Sequence, residues 1–344
     1  MRFILPLTLV TLQLWLPSAR VTILPWGAWA PVILTLFIFP ILDLLLPPGQ
    51  LSSGVTKGTG VGAINGVATT NGAGSQAHQK WFYDGILVIY SLMHVACILK
   101  VAYFVANRNL TTSEMVGLTI STGIITGGIG ITFAHELIHR RSLFLRSAGE
   151  LILVFVCYGH FAVAHVLGHH RNVGTAQDPA TAREGEWLAL FLLRALPGTF
   201  LDALHLKRER TLIYTACSAL IASAICFFLG PKALAVFLGQ ALMAAVLLET
   251  VDYIEHYGLT RKELAPGRYE MVRPEHSWDS NASFSGALLV NLQRHADHHM
   301  HVLKEYPQLE LLPEARQLPT GYPGMIWLAM LSPKSKLRQR FWSL

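Results

Sequence analysis

The sequence predicts an all-α integral membrane protein with about six transmembrane helices and a histidine-rich helical cap on the cytoplasmic side. Its 344 residues are 52% hydrophobic and only 14% charged, with a mean hydropathy of +0.42, whereas a soluble domain carries about 25% charged residues. Several apolar runs approach the ~20 residues that a helix needs to cross a bilayer. Eight of the fifteen histidines fall in three short segments, which indicates a metal-binding cap.

Six apolar runs are long enough to predict transmembrane helices. They lie at 3–19, 28–46, 82–106, 114–134, 211–230 and 232–254. The first run could be taken for a secretory signal, but a second apolar run follows closely, so we interpret it as a short transmembrane helix. A further apolar stretch, 143–164, is interrupted by polar residues and predicts a membrane-associated helix that does not cross.

These runs divide the chain into four parts. Residues 1–46 hold the first two transmembrane helices. Residues 47–80 are rich in Gly, Ser and Thr, and predict a flexible cytoplasmic linker. Residues 81–310 form the predicted membrane core, and 311–344 a cytoplasmic C-terminal tail.

The basic residues predict the orientation of the chain. In the six-helix arrangement one side receives single basic residues near Arg20, Arg108 and Lys232, and the other side receives the remaining clusters. By the positive-inside rule the richer side is cytoplasmic. We therefore expect an inner-membrane protein with both termini and the histidines facing the cytoplasm. The formal charge of +6 is dispersed without a basic, aromatic patch, so a nucleic-acid partner is excluded.

Three histidine motifs carry the chemistry that the sequence suggests. Sixteen residues hold eight histidines, in the segments His135–His139 (HELIH), His165–His170 (HVLGHH) and His295–His299 (HADHH). Residues four apart share a helix face. We therefore expect the first and last histidines of HELIH to face one metal, and His165 with His169 to repeat that geometry. We expect His170 to turn toward a neighbouring site, and the three histidines of HADHH to converge through i+3 and i+4 spacing.

Eight imidazoles exceed what one ion can bind, so two metal ions are the economical interpretation. Neutral imidazole binds iron, zinc, copper or nickel. A structural zinc site would use four ligands, often cysteines. The four cysteines instead lie in apolar surroundings without a CxxC pair, as expected of reduced, buried thiols.

Two other classes of protein fit part of this pattern. HELIH satisfies the HExxH motif of zinc proteases, but a protease leaves the other two clusters unexplained. A metal transporter with histidine-rich cytoplasmic sites would show paired, interrupted helices with polar ligands inside the membrane, and the apolar runs show none.

The order of the three histidine motifs between hydrophobic runs is similar to that of the membrane fatty acid desaturase and hydroxylase superfamily. Within it, four further segments resemble the alkane 1-monooxygenase family: Asp178–Glu186 (DPATAREGE), Glu249–Leu259 (ETVDYIEHYGL), His276–Asn281 (HSWDSN) and Asn291–His299 (NLQRHADHH). The likeness runs from about Pro40 to Pro307. Two of its strings, IEHYGL and LQRHADHH, favour a hydroxylase over a desaturase.

This resemblance implies a non-haem di-iron monooxygenase. It implies nine iron-binding histidines: His135, His139, His165, His169, His170, His256, His295, His298 and His299. O2 would be the co-substrate, and one oxygen atom would enter a C–H bond, at the terminal methyl group, of an alkane or alkyl-bearing substrate drawn from the lipid bilayer. Rubredoxin or ferredoxin would supply electrons, since no flavin, NAD or iron–sulfur motif is visible. A fatty-acyl desaturase remains the alternative.

Acidic residues near the motifs are candidates for orienting the imidazoles through the ring N–H that does not bind metal. They are Glu136, Asp178, Glu249, Glu255 and Asp297. Asp43 lies in an apolar run, where it is either functional or solvated at the helix end. Against the family pattern, Ala164 replaces a common Glu before His165, and Asp252 and Asp279 replace usual Asn residues.

Aromatic residues of the second and third predicted helices are candidates for the wall of a substrate channel, or else for ordinary packing against lipid. They are Phe37, Phe39, Trp81, Phe82 and Tyr83.

Overall fold

The computed structural model describes residues 27–49 and 71–331. Its helices, in chain order, are α1 (Gly27–Leu45), α2 (Asn71–Ala106), α3 (Thr112–Ile138), α4 (Leu143–Phe155), α5 (161–172), α6 (Leu188–Leu229), α7 (Pro231–His256), α8 (Ser283–Leu288), α9 (His295–Met300) and α10 (Tyr322–Leu331). Five of these are long and apolar enough to cross a membrane, namely α1, α2 from Lys80, α3, α6 and α7. They confirm five of the six predicted spans, and the sixth, 3–19, lies outside the described residues.

Helix α3 brings the first histidine motif to the end of a membrane span. It begins at a capping box, in which the backbone N–H of Glu114 donates to Thr111 Oγ1 and the Glu114 carboxylate accepts from the backbone N–H of Thr111, so the free N–H groups of the first turn are satisfied. Glycines then let α3 approach α7 closely, because a Cβ at Gly127 would lie 2.7 Å from Cα of Ala244. A π-helical turn, Ile125–Gly130, precedes the motif.

Helix α6 is two helices joined at Lys207, whose φ of −150° and ψ of 76° are not helical. The hydroxyl of Thr211 lies 3.0 Å from the carbonyl oxygens of Ala203 and Lys207, and so satisfies backbone groups that the kink would leave free. The charged run 207–210 marks the break, and the apolar half beyond it is the predicted span 211–230. Helix α4 has 13 residues, too few to cross a bilayer, as predicted for 143–164.

The fold is all-α as predicted, apart from four short strands among the described residues. The sequence did not predict these strands. β1 (Glu263–Ala265) and β2 (Arg268–Tyr269) form an antiparallel hairpin, whereas β3 (Trp278–Asp279) and β4 (Arg316–Gln317) pair in parallel. Strands of two or three residues are too short to show an alternating pattern of apolar and polar residues.

Two boundaries of the predicted division differ from the structure. Helix α2 begins at Asn71, inside the stretch predicted as a linker. At the other end of that stretch, the backbone N–H of Gly49 donates a hydrogen bond to the carbonyl oxygen of Asn281. Residues 50–70 lie outside the described residues. The predicted tail begins too early. Residues 311–331 pack into the core, with Tyr322 and Met325 almost fully buried, because β4 and α10 return to β3 and α7.

Candidate metal centre

The nine histidines that the resemblance implies gather into two adjoining groups. Within each group the candidate ligand atoms lie within 4.8 Å of one another. Histidine group 1 contains His135, His139, His165, His170 and His298, and histidine group 2 contains His169, His256, His295 and His299. The ring centroids of His170 and His299, one from each group, are 4.6 Å apart, so the two groups form one centre.

The ring nitrogens of histidine group 1 converge on a point. Nε2 of His170 lies 3.2 Å from Nε2 of His139, 3.0 Å from that of His165 and 3.1 Å from that of His298. A neutral His170 can carry one proton on Nε2, which serves only one of these three neighbours. Nε2 of His135 is buried without a hydrogen-bond partner among the described residues. A shared cation fits this set of lone pairs.

Histidine group 2 shows the same arrangement with four rings. Nε2 of His295 lies 3.1 Å from Nε2 of His256 and 2.9 Å from that of His299. Nε2 of His169 is buried and has no hydrogen-bond partner in the part of the chain described. All four side chains are buried, so this group too is suited to hold a cation away from solvent.

The second histidine motif is not the α-helical turn that its spacing suggested. Residues Ala164–His169 form a π-helical turn, in which hydrogen bonds join residues five apart. His165 therefore shares histidine group 1 with His170, and His169 belongs to histidine group 2. The expectation that His165 and His169 face one metal was wrong for this reason.

The third motif divides between the two groups as well. On α9, His295 and His299 are four residues apart and share histidine group 2, whereas His298 faces histidine group 1. The expected convergence of all three on one ion is therefore wrong, because i+3 and i+4 positions diverge around a short helix. The i, i+4 pair of the first motif, His135 with His139, does share a group.

Burial keeps five of these imidazoles in the form that binds metal. Burial, reinforced by neighbouring imidazoles, lowers the pKa of His139 to about 3. The same causes hold the pKa values of His165, His170, His298 and His299 well below the usual histidine range. Neutral rings with free lone pairs are the state that a transition metal requires.

Two of the five acidic candidates lie against imidazoles of the two histidine groups. Nδ1 of His169 is 2.8 Å from Oδ2 of Asp178, which also accepts a hydrogen bond from Thr181. Burial raises the pKa of Asp178, but His169 and Thr181 outweigh it and bring the pKa below its usual value. Oε1 of Glu255 lies 3.2 Å from Nδ1 of His295 and accepts from the Tyr322 hydroxyl at 2.6 Å.

The other three acidic candidates have different partners. Glu136 accepts from Arg140 at 2.9 Å and from the backbone N–H of Tyr306, so its carboxylate is not positioned as the general base of an HExxH protease. The Glu249 carboxylate accepts from the hydroxyls of Tyr158 and Thr199. Asp297 accepts from His301, Lys304 and the backbone N–H of Glu310.

Several contacts that support the centre left no signal in the sequence. Nδ1 of His256 lies 3.2 Å from the carbonyl oxygen of His276. Oδ1 of Asp279 accepts from the backbone N–H of Ala296, at the start of α9, and burial raises the pKa of Asp279 to about 7. These pairs are distant in the chain, so only the fold brings them together.

Asp43 contributes to the packing of the fold. Its side chain is 9% exposed and is therefore not solvated at the helix end. Its Oδ1 accepts from the backbone N–H of Ser285 at 2.9 Å. A Cβ at Gly321 would lie 2.1 Å from its other oxygen, so glycine at that position is required for the contact. Asp43 thereby ties α1 to α8 and to the start of α10.

An apolar cavity of about 230 Å³ leads to both histidine groups. Residues of α1, α3, α7 and α10 form most of its wall, and His135, His165 and His295 also line it. Of the five aromatic residues predicted as channel wall, Phe39 lines this cavity. Phe37, Trp81 and Phe82 are more than half exposed, and the rings of Tyr83 and Tyr306 pack edge to face.

Comparison with known proteins agrees with this geometry. The fatty acid desaturase family model matches residues 112–329. The chain is 38% identical over 267 residues to an alkane 1-monooxygenase of Pseudomonas putida, covering 74% of this chain and 66% of that protein. It is 42% identical over 232 residues to alkane 1-monooxygenase 2 of Pseudomonas aeruginosa, covering 63% of this chain and 62% of that protein.

A third relative, alkane 1-monooxygenase 2 of Alcanivorax borkumensis, is 34% identical over 269 residues, which cover 74% of this chain and 70% of that protein. The chain spans slightly less than two thirds of the length of the first two relatives. With five apolar helices, it is a multi-pass membrane protein, and it belongs to the alkane 1-monooxygenase family of the membrane fatty acid desaturase and hydroxylase superfamily.

Proposed function

We propose that this protein is a non-haem di-iron monooxygenase that inserts one oxygen atom from O2 into a terminal C–H bond of an alkane or alkyl-bearing molecule. One observation carries the proposal: two adjoining groups of imidazoles with converging ring nitrogens contribute His135, His165 and His295 to the wall of an apolar cavity. The nine histidines would hold two iron ions, five in one group and four in the other. Imidazole suits iron among other metals, and the names of the relatives, which are alkane 1-monooxygenases, favour alkane oxidation over the alternatives.

The iron pair, when bound, supplies the activation of O2, and the residues of the chain position the substrate. An apolar cavity of about 230 Å³ exceeds the ~150 Å³ cavity that holds benzene in another protein. Its walls offer an alkyl chain few polar partners, so the chain is held by shape and by exclusion of water. The histidines that line it come from both groups, so an alkyl chain bound there would lie beside both metal positions.

The orientation of the protein follows from the same proposal. Helices α3 and α7 both end at the histidine groups, and exposed basic residues, among them Arg141, Arg171, Arg183 and Arg268, lie in the segments that join the helices on that side. By the positive-inside rule this side faces the cytoplasm of an inner membrane. An acidic rubredoxin or ferredoxin would be attracted to it and would supply electrons.

Metal and product analysis of the detergent-purified protein tests this function. We expect about two irons per chain, a loss of iron in the variant His298→Ala, and a primary alcohol from an alkane supplied with O2 and reduced rubredoxin. Chelation should abolish turnover, and ferrous iron should restore it. An alkene product would establish the desaturase instead. One zinc per chain, unchanged by His298→Ala, would overturn the di-iron proposal.

A further inference from the structure

A row of three buried acidic residues follows one face of α7. Glu249, Asp252 and Glu255 are three residues apart and therefore neighbours on the helix surface. They are 0%, 3% and 1% exposed. Ionisable groups inside a membrane span are costly and are usually retained for a function. The contact of Glu255 with His295 accounts for that residue, but the other two do not touch a candidate ligand.

A second, much smaller cavity adjoins this row and is called here the carboxylate cavity. It is lined by Asp178, Asp202, Glu249 and Asp252 together with His165 and His169. Its volume of about 10 Å³ is close to the smallest that holds one water molecule. Asp252 also lines the apolar cavity, so its side chain lies in the wall between the two.

The acidic side chains of this cavity have unused acceptor atoms. One oxygen of Glu249 accepts from Tyr158 and Thr199, but Oε2 is fully buried without a hydrogen-bond partner among the described residues. Asp252 forms no hydrogen bond or ion pair with any residue of the described ranges. A buried acceptor without a partner is unfavourable, and a water molecule in the carboxylate cavity would satisfy both side chains.

Asp202 on α6 also lines the carboxylate cavity. This residue is half-buried and lies just before the kink at Lys207, where the exposed charged residues Lys207, Arg208 and Glu209 follow. Glycine at position 168 lets its carboxylate reach the second histidine motif, because a Cβ there would lie 2.2 Å from Oδ2 of Asp202. The side chain thus extends from a water-exposed stretch to the helix that carries the histidines.

We propose that Asp202, Glu249 and Asp252, bridged by water in the carboxylate cavity, conduct protons from the cytoplasmic surface to the metal centre. The inference rests on the proposed function. Inserting one oxygen atom into a C–H bond breaks the O–O bond of O2 and forms a C–O bond. The second oxygen atom leaves as water after taking up two electrons from the external donor and two protons. The apolar cavity excludes water, so the protons need a separate route.

Three variants test the route in the full-length purified protein. Glu249→Gln and Asp252→Asn should each lower the rate of product formation by about tenfold or more and raise its solvent deuterium isotope effect, while iron content stays at the wild-type level. Asp43→Asn is the matched control. It neutralises a buried carboxyl outside the linings of both cavities and should leave rate and isotope effect unchanged. Wild-type rates in both cavity variants would overturn the proposal.

Infrared spectroscopy provides a readout that does not depend on turnover. The infrared bands of the Glu249 and Asp252 carboxyl groups are identified by their absence from Glu249→Gln and Asp252→Asn. In the wild type, those bands should shift rapidly when H2O is replaced by D2O. Asp202→Asn should slow that shift about tenfold. An equally fast shift in Asp202→Asn would contradict the route, even if the wild-type protein makes no alcohol. If the wild type holds no iron and makes no product, but Asp202→Asn still slows the shift, the proposed function alone is contradicted.

Discussion

At the scale of single residues, two imidazoles of the centre, His169 and His256, use their two ring nitrogens differently. His169 directs Nε2 into histidine group 2, while its Nδ1 meets Asp178 at 2.8 Å. His256 directs Nε2 toward His295, while its Nδ1 meets the carbonyl of His276. The partner at Nδ1 fixes the tautomer of each ring, so Nε2 keeps a lone pair that can bind a metal.

Asp178→Asn should weaken metal binding without unfolding the protein. The amide loses the charge that orients the His169 ring, and the loss of such a partner typically lowers metal affinity 10- to 100-fold, so about tenfold or more is expected. Competition with a graded chelator measures it. Asp297→Asn is the control: this residue lies between His295 and His298 in sequence, yet contacts Lys304 and His301. Equal metal loss in both variants would contradict the assignment.

At the scale of elements, the centre depends on departures from regular α-helix. The π-helical turns Ile125–Gly130 and Ala164–His169 both line the apolar cavity. The first lies where α3 meets α7, and the second redirects His165 and His169 to different groups. Single π-turns inside α-helices are frequent at functional sites.

Adjacent glycines of the first π-turn should respond differently to alanine. A Cβ at Gly127 would lie 2.7 Å from the backbone of α7 at Ala244, whereas one at Gly128 would have its nearest neighbour, a flexible Leu247 methyl, at 3.5 Å. Gly127→Ala must separate the helices and should destabilise the protein by about 1–3 kcal/mol. Gly128→Ala should be tolerated. Thermal unfolding in detergent compares the two, and equal midpoints would contradict the packing described.

The sequence predicts elements whose signal is local, and misses those built from distant contacts. The apolar runs predict all five described spans, and the i, i+4 spacing of His135 and His139 correctly predicts a shared group. The same i, i+4 rule fails for His165 and His169, because they lie in a π-helical turn and the spacing rule holds for an α-helix. His256 follows only from the family resemblance. The sequence predicts a tail where α10 forms, because α7, against which α10 packs, lies far away in the chain.

At the scale of the whole molecule, the apolar cavity connects elements from nearly the full length of the chain. Its wall runs from Ala30 on α1 to Ile326 on α10 and includes His135, His165 and His295 of the metal centre. In the proposed function the cavity would therefore set which molecules reach the centre.

Ile326→Trp should narrow the cavity while leaving the metal centre intact. The larger side chain should lower kcat/KM for long alkyl substrates by about tenfold or more relative to short ones, since each methylene in an apolar pocket is worth about 10- to 200-fold. Competition between alkanes of different length measures the ratio, with iron content as the check. Ile213→Trp, on the exposed face of α6, is the control. An unchanged ratio in Ile326→Trp would contradict this cavity as the substrate site.

The short helices α5 and α9 each contribute imidazoles to both histidine groups. An ion held by His165 and His170 would order α5, and thereby place His169 for the second ion before that ion arrives. The same holds on α9 for His298 and its neighbours. The two binding equilibria are then thermodynamically linked, with positive cooperativity. When the metal is scarce, such linkage would collect the available ions in fully loaded molecules and keep half-loaded ones rare.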